Sequence, residues 1–213
     1  MKAVDSIIFD LDGTLVDSKE DIVNAVNFTL KKLGLSQKQA DEIASYIGTG
    51  AEDLIRKAIG DKNRDLFDKG ISIFEDDYKK HSATKSKLYP HVEEVLEYFK
   101  NKNLFIVTNR KKNMAQITLN SLGINKYFKD VVGGDDETCL KPSACSLEKA
   151  LGNVQDRKRI IIVGDMDLDV LTGKEAGILT CAVTYGIGKR DDIVKVKPDY
   201  LVDDLLQLKE IIR

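Results

Sequence analysis

The chain has 213 residues, 42% hydrophobic and 32% charged, with 33 Lys and Arg against 35 Asp and Glu for a formal charge of −2. That length allows one large or two small domains with a real core, and the composition is that of a soluble globular protein. Near-neutral, interspersed charge leaves no footprint for nucleic acid or a membrane surface, and no apolar run approaches the roughly 18 residues that span a bilayer.

The N-terminus lacks the apolar core and cleavage site of a signal peptide, and enters an apolar run, Ile7-Ile8-Phe9, that stops at Asp10, Asp12 and Gly13. A short run of this kind reads as a strand buried on both faces of a parallel sheet. Asp10 then stands at its carboxyl end, where open α/β sheets bind ligands. Gly13 lets the chain turn closely and is expected to leave backbone amides facing an anion.

Residues 16 to 81 carry helical periodicity and little strand signal. Ile22, Val23, Val26, Leu30 and Leu33 form one stripe of a helix ending near Gly34, and further helices are expected at about 37 to 46, 51 to 59 and 63 to 80. From Leu88 helix and strand alternate. Leu104–Val107 reads as a strand ending at Thr108-Asn109, a helix covers about 112 to 122, and a short strand near 130 to 132 ends at Gly133-Gly134. A helix follows Pro142; Ile160–Val163 is a strand closing at Gly164-Asp165; Thr180–Val183 and Tyr200–Val202 add two more before a closing helix at 204 to 212. The pattern predicts an α/β fold: a doubly wound, mostly parallel sheet formed by 1–15 and 82–213, with 16–81 as an inserted all-helical cap domain. Cys139, Cys145 and Cys181 are odd in number and lack C-x-x-C spacing, so neither a disulfide framework nor a zinc site is expected, and the expected setting is a reducing cytoplasm.

Three predicted strands end in polar groups: Asp10 with Asp12, Thr108 with Asn109, and Asp165. Lys141-Pro142 sits in a loop before a helix. An Asp, Thr or Asn after a strand is often a helix N-cap, but parallel strands bring these ends together. Paired carboxylates raise one another's pKa or bring in a cation, and oxygen-only ligands of this kind suit Mg²⁺. Asp165-x-Asp167-x-Asp169 is not an EF-hand loop, because Val170 and Ala176 stand where Gly and a bidentate Glu are required. Asp167 reads as a solvated charge at a helix start.

The strings Phe9-Asp10-Leu11-Asp12-Gly13-Thr14-Leu15, Val107-Thr108-Asn109, Lys141-Pro142 and Gly164-Asp165 through Asp169 resemble the four ordered motifs of the haloacid dehalogenase-like superfamily. Its phosphoglycolate phosphatase-like hydrolases are nearest. The resemblance covers nearly the whole chain and implies a Rossmann-like core. It also implies a Mg²⁺-dependent phosphatase acting on a small phosphorylated metabolite through an aspartyl phosphate. In that scheme Asp10 is the nucleophile and Asp12 the general acid and base. Mg²⁺ is held by Asp10, the Asp12 backbone carbonyl and Asp165, with Asp169 supporting. Thr108, Asn109, Lys141 and Gly13 meet the phosphoryl group. Three departures stand out: Met166 replaces a small polar residue, Ala144 a second proline, and Arg110 a frequent lysine.

In the cap, the resemblance places the Gly48-Thr49-Gly50-Ala51 turn over the catalytic aspartate, with Thr49 and Arg56 as candidate substrate contacts; the plainer reading of Arg56 is a solvated helix charge. His81 and His91 have no metal spacing. Gly186-Ile187-Gly188-Lys189 lacks the Walker pattern, so a nucleotide P-loop is not expected. Two other functions are open at this point: a β-phosphoglucomutase-type phosphomutase, which shares the nucleophile, and a catalytically silent phosphate- or partner-binding protein, against which the intact acids and lysine argue.

Overall fold

The computed structural model describes residues 1–152 and 156–213. In chain order the strands are β1 (Ser6–Phe9), β2 (Val16–Asp17), β3 (Lys87–Leu88), β4 (Asn103–Val107), β5 (Asp130–Val132), β6 (Ile160–Gly164), β7 (Leu179–Val183) and β8 (Tyr200–Val202). The helices are α1 (Lys19–Lys32), α2 (Ala40–Ala44), α3 (Ala51–Ile59), α4 (Phe67–His81), α5 (Val92–Tyr98), α6 (Lys112–Ser121), α7 (Cys145–Leu151), α8 (Asp167–Glu175), α9 (Arg190–Lys195) and α10 (Leu208–Ile211).

Six strands form one sheet in the order β5-β4-β1-β6-β7-β8, and every pairing in it is parallel. Alternate residues of β1 face opposite sides, so Ile7 and Phe9 enter one core with Val95, Leu96 and Ile106, while Ile8 enters another with Val107, Leu147 and Ile162. Burial on both faces explains the uninterrupted apolar run. The strand order reverses at β1, which has β4 on one side and β6 on the other. The carboxyl ends of these three strands therefore border the crevice where such sheets bind ligands.

Helices α1 to α4 lie between β2 and β3 in sequence and share their own apolar cluster, including Ile22, Val26, Leu30, Ile55, Phe74 and Tyr78. The chain leaves and returns through a two-stranded antiparallel ribbon, Val16 opposite Leu88 and Asp17 opposite Lys87. Buried Asp21 anchors it, accepting hydrogen bonds from the Lys85 and Ser86 amides and from Ser86 Oγ at 2.6 Å. Two-residue strands are too short to show as a pattern, so this ribbon is absent from the sequence reading.

Several expected boundaries shift. The helix expected at 37 to 46 is confined to Ala40–Ala44, and the one expected from 63 begins at Phe67 after a 3₁₀ segment, Asp61–Leu66, in which Asn63 has non-helical φ −118°. The closing helix divides into a 3₁₀ turn, Leu205–Gln207, and the short α10. Helix α9 was not expected.

The cysteine expectation needs correction: Cys139 and Cys145 form a disulfide, while Cys181 is free and buried. A 3₁₀ turn ends at Cys139 and α7 begins at Cys145, bringing their Cα atoms to 5.2 Å across the Lys141 loop, within disulfide range. The six-residue separation carried no sequence signal for that approach. Among the described residues, no helix is long and apolar enough to cross a membrane.

Candidate active site

Asp10 leaves β1 with its amide bonded to the Val163 carbonyl of β6 at 2.9 Å, which fixes its backbone between the two strands. Its carboxylate lies 2.7 Å from the Lys141 ammonium, and the same ammonium lies 2.6 Å from Asp169. Lys141 and Asp169 are 3% and 1% exposed, so water contributes little to this triad. Burial alone would pull the lysine pKa down, but Asp10 and Asp169 outweigh it and hold the ammonium charged.

The loop carrying Lys141 is clasped by Asn109 at the end of β4. The Asn109 amide group donates to the Lys141 carbonyl at 3.0 Å and to the Gly48 carbonyl at 2.8 Å, and its oxygen accepts the Lys141 amide at 2.8 Å. One side chain thus ties the lysine loop to the helical insert. Thr108 is buried, with Oγ1 accepting the Arg110 amide at 3.2 Å.

Asp165, at the end of β6, accepts from Thr14 Oγ1 at 3.1 Å and from the Ile187 and Gly188 amides at 2.7 and 3.0 Å. Asp169 caps α8 by accepting the Met166 amide at 3.0 Å. Asp10, Asp165 and Asp169 each offer an oxygen within 4.8 Å of the others. Burial, reinforced by Asp169 and Asp165 and opposed by Lys141, raises the Asp10 carboxyl to about 8. Burial and Asp169 likewise raise Asp165 to about 7, against its two amide donors. Ionised together, these three buried carboxyls would leave a surplus of two negative charges over the one ammonium, and their all-oxygen chemistry fits a hard divalent cation.

Asp12 is placed differently. Its carboxylate takes the Arg110 guanidinium as a fork, with Nε donating at 3.0 Å and Nη2 on the second oxygen, which also accepts Ser18 Oγ. Gly13, with φ +86°, turns the chain back as expected, and its own amide bonds the Val16 carbonyl at 2.9 Å. The Leu11, Asp12 and Asn109 amides have no acceptor among the described residues. What Gly13 provides is room, since a Cβ there would stand 2.2 Å from the Asp165 carboxylate.

A cavity of about 60 Å³ opens between the strand ends and the helical insert, bordered by Asp10, Asp12, Asn109, Arg110 and Lys141 below and by Ile22, Leu54, Phe74 and Tyr78 above. A water occupies about 10–15 Å³ on this measure, so the space suits a small organic anion. Thr49 and Arg56 do not border it. Thr49 Oγ1 bonds Asp53, and the Arg56 guanidinium lies 4.9 Å from the Phe67 ring. Sequence reasoning missed the Asp12–Arg110 fork, although Arg110 stands next to Asn109, and missed the Ile187-Gly188 amides, whose use of a glycine turn to hold a carboxylate has no signature.

The family model described as haloacid dehalogenase-like hydrolase matches residues 7–183. A phosphoglycolate phosphatase of Aquifex aeolicus is 33% identical over 212 residues, 92% of this chain and 98% of that protein. One of Vibrio parahaemolyticus is 34% identical over 216 residues, 97% and 95% respectively. A crystal structure of a predicted phosphoglycolate phosphatase from Haemophilus somnus superposes with TM-score 0.93 at 31% identity, covering 99% of each chain. A haloacid dehalogenase-like family protein of Streptococcus pneumoniae superposes with TM-score 0.87 at 29% identity over 98% of each. On its sequence, its parallel sheet and the order of its motif residues, the chain belongs to the haloacid dehalogenase-like hydrolase family.

Proposed function

We propose that the chain is a Mg²⁺-dependent phosphatase of a small phosphorylated metabolite, phosphoglycolate foremost, working through an aspartyl phosphate on Asp10. The observation that supports this most is the buried Lys141 ammonium seated between Asp10 and Asp169 at the edge of the cavity. A lysine so placed neutralises charge on a transferring phosphoryl group, and positioning with charge stabilisation is what this reaction chiefly needs. The named activity of the Aquifex and Vibrio relatives agrees with it.

An Asp10 carboxylate oxygen attacks phosphorus, and the bond from phosphorus to the ester oxygen breaks. Asp12 gives that oxygen its proton as the alcohol leaves. Asp12 then takes a proton from water, whose oxygen attacks phosphorus; the bond to Asp10 breaks, releasing inorganic phosphate and restoring the carboxylate. The free amides of Leu11, Asp12 and Asn109, with Thr108 and Lys141, hold the phosphoryl oxygens. Mg²⁺ would be held by Asp10, Asp165 and the Asp12 carbonyl, with Asp169 supporting, and when bound it offsets the negative charge gathered there. The 16–81 segment acts as a cap over a core formed by 1–15 and 82–213. Phosphorylated metabolites do not cross membranes unaided, so the cytoplasm is the place of work.

Phosphate release from a panel of metabolite monoesters, with Mg²⁺ and with chelator, tests the reading. Mg²⁺-dependent release, fastest with phosphoglycolate, is expected. No release, together with isomerisation of a sugar phosphate, would sink it.

A further inference from the structure

Tyr78 of α4 is 2% exposed and lines the cavity, yet its hydroxyl has no hydrogen-bond partner among the described residues. Buried hydroxyls are nearly always paired, so one left open on a cavity wall calls for a ligand. The same ring lies 5.0 Å from the guanidinium carbon of Arg110. Arg110 is itself 8% exposed, donates from Nη1 to Thr118 Oγ1 at 2.7 Å, and forks onto Asp12.

The remaining walls narrow the chemistry. Ile22, Ile47, Leu54, Phe74 and Met114 are apolar. Lys111 carries two carboxylates, Glu52 and Glu75, whereas Arg110 carries one, Asp12. Beside the Arg110 fork and the spare Tyr78 hydroxyl, the side chains of this part of the wall are apolar, and the Gly48–Ala51 turn borders it with backbone. A sugar, with donors and acceptors on every carbon, would leave most of its hydroxyls facing hydrocarbon. A carboxylate on a short stem matches, because its two oxygens suit the planar guanidinium fork and a phenol can donate beside them.

We propose that Arg110 and Tyr78 form a carboxylate subsite that selects phosphate monoesters bearing a carboxylate on a short carbon stem, and that the bound carboxylate takes the Arg110 fork over from Asp12. This rests on the phosphatase reading and deepens it. Asp12, released from Arg110, is then free to turn toward the ester oxygen it must protonate. An ester without a carboxylate leaves Asp12 on the arginine, so discrimination is expressed in kcat as well as KM.

The test compares 2-phosphoglycolate with ethyl phosphate, which carries a methyl where the other carries the carboxylate, in the wild-type protein, Tyr78→Phe and Arg110→Gln, all with Mg²⁺. The readout is the ratio of kcat/KM for the two esters. A large ratio is expected for the wild type, lowered about ten-fold in Tyr78→Phe and about a hundred-fold in Arg110→Gln, the latter largely through kcat. Inhibition by inorganic phosphate, which reports the phosphoryl end alone, should shift less than the ratio in Tyr78→Phe. Should Arg110→Gln fail to fold by circular dichroism, Tyr78→Phe decides. Phosphate release with a wild-type ratio near one, or a ratio unmoved by Tyr78→Phe, overturns the subsite. No release from either ester by the wild type overturns the phosphatase reading instead.

Discussion

Asp10 and Asp167 are both acids at the carboxyl edge of the sheet, and their surroundings set them apart. Asp10 is buried against Lys141, whereas Asp167 is half-buried at the start of α8 with no cation within salt-bridge distance among the described residues. Asp10→Asn should keep the fold by circular dichroism and lose phosphatase activity by at least about 10³-fold, as expected when a nucleophile is removed. Asp167→Asn should keep activity within about two- to three-fold, since a half-solvated charge at a helix start contributes only a few tenths to about 1 kcal/mol. Substantial activity in the Asp10 variant would break the mechanism. At this scale the sequence was informative where chemistry stands next to a strand end: Asp10, Thr108, Asn109, Lys141 and Asp165 were all legible and come together. Tyr78 was not, because a single aromatic on a cap helix looks like any core residue until the fold sets it above Arg110.

Two loops brace the carboxylates. The turn after β7 lays the Ile187 and Gly188 amides on Asp165, and Gly186 passes so close that a Cβ there would stand 2.4 Å from that carboxylate. Gly186→Ala must therefore push Asp165 aside or pull the amides away. Loss of such outer support typically costs 10–100-fold in metal affinity, and the Mg²⁺ concentration for half-maximal activity should rise by about that factor. An unchanged Mg²⁺ requirement would show that the loop is passive. The second brace is the ring closed by Cys139 and Cys145 around Lys141. Chain-entropy reasoning gives a ring this small about 2 kcal/mol, so thiol reductant should lower Tm by roughly 4–8 °C. Identical melts with and without reductant, on protein shown by mass to have held the bond, would assign the ring no stabilising part. Helix α1 was legible from its stripe and α4 was expected within a few residues of its span, but the β2–β3 ribbon and the cysteine ring were not. Both are made by chain segments meeting across a turn, without periodicity of their own.

For the molecule as a whole, the main cost of building this site is buried negative charge. Burial raises the carboxyls of Asp10 to about 8 and Asp165 to about 7, against about 3.9 in an unfolded chain. Groups raised in this way favour the folded state fully below about pH 4, and that contribution is lost as pH climbs through roughly 7 to 8. Metal-free protein should accordingly lose stability progressively from about pH 4 up to about pH 8 and level off above it. Mg²⁺ should restore it, and more at about pH 8 than at about pH 5. At a hundred-fold excess over Kd a ligand adds about 2.7 kcal/mol, or roughly 5–10 °C in Tm for a chain of this length. Flat metal-free stability with no Mg²⁺ response would contradict this reading of the carboxylate cluster. The parallel sheet with its helical insert was legible because β1 and β6 are buried on both faces and, with Leu104–Val107 of β4, read as apolar runs. The placement of the insert over the strand ends came only from the family resemblance and not from periodicity, since it depends on packing between elements distant in sequence. Passage of phosphorus through Asp10 is tested most directly by mass spectrometry of peptides from protein quenched in acid during turnover of phosphoglycolate with Mg²⁺. One phosphoryl group on the peptide containing Asp10, more of it in Asp12→Asn and none in Asp10→Asn, is the predicted result. Steady phosphate release with that peptide unmodified at every time point, and activity surviving in Asp10→Asn, would contradict it.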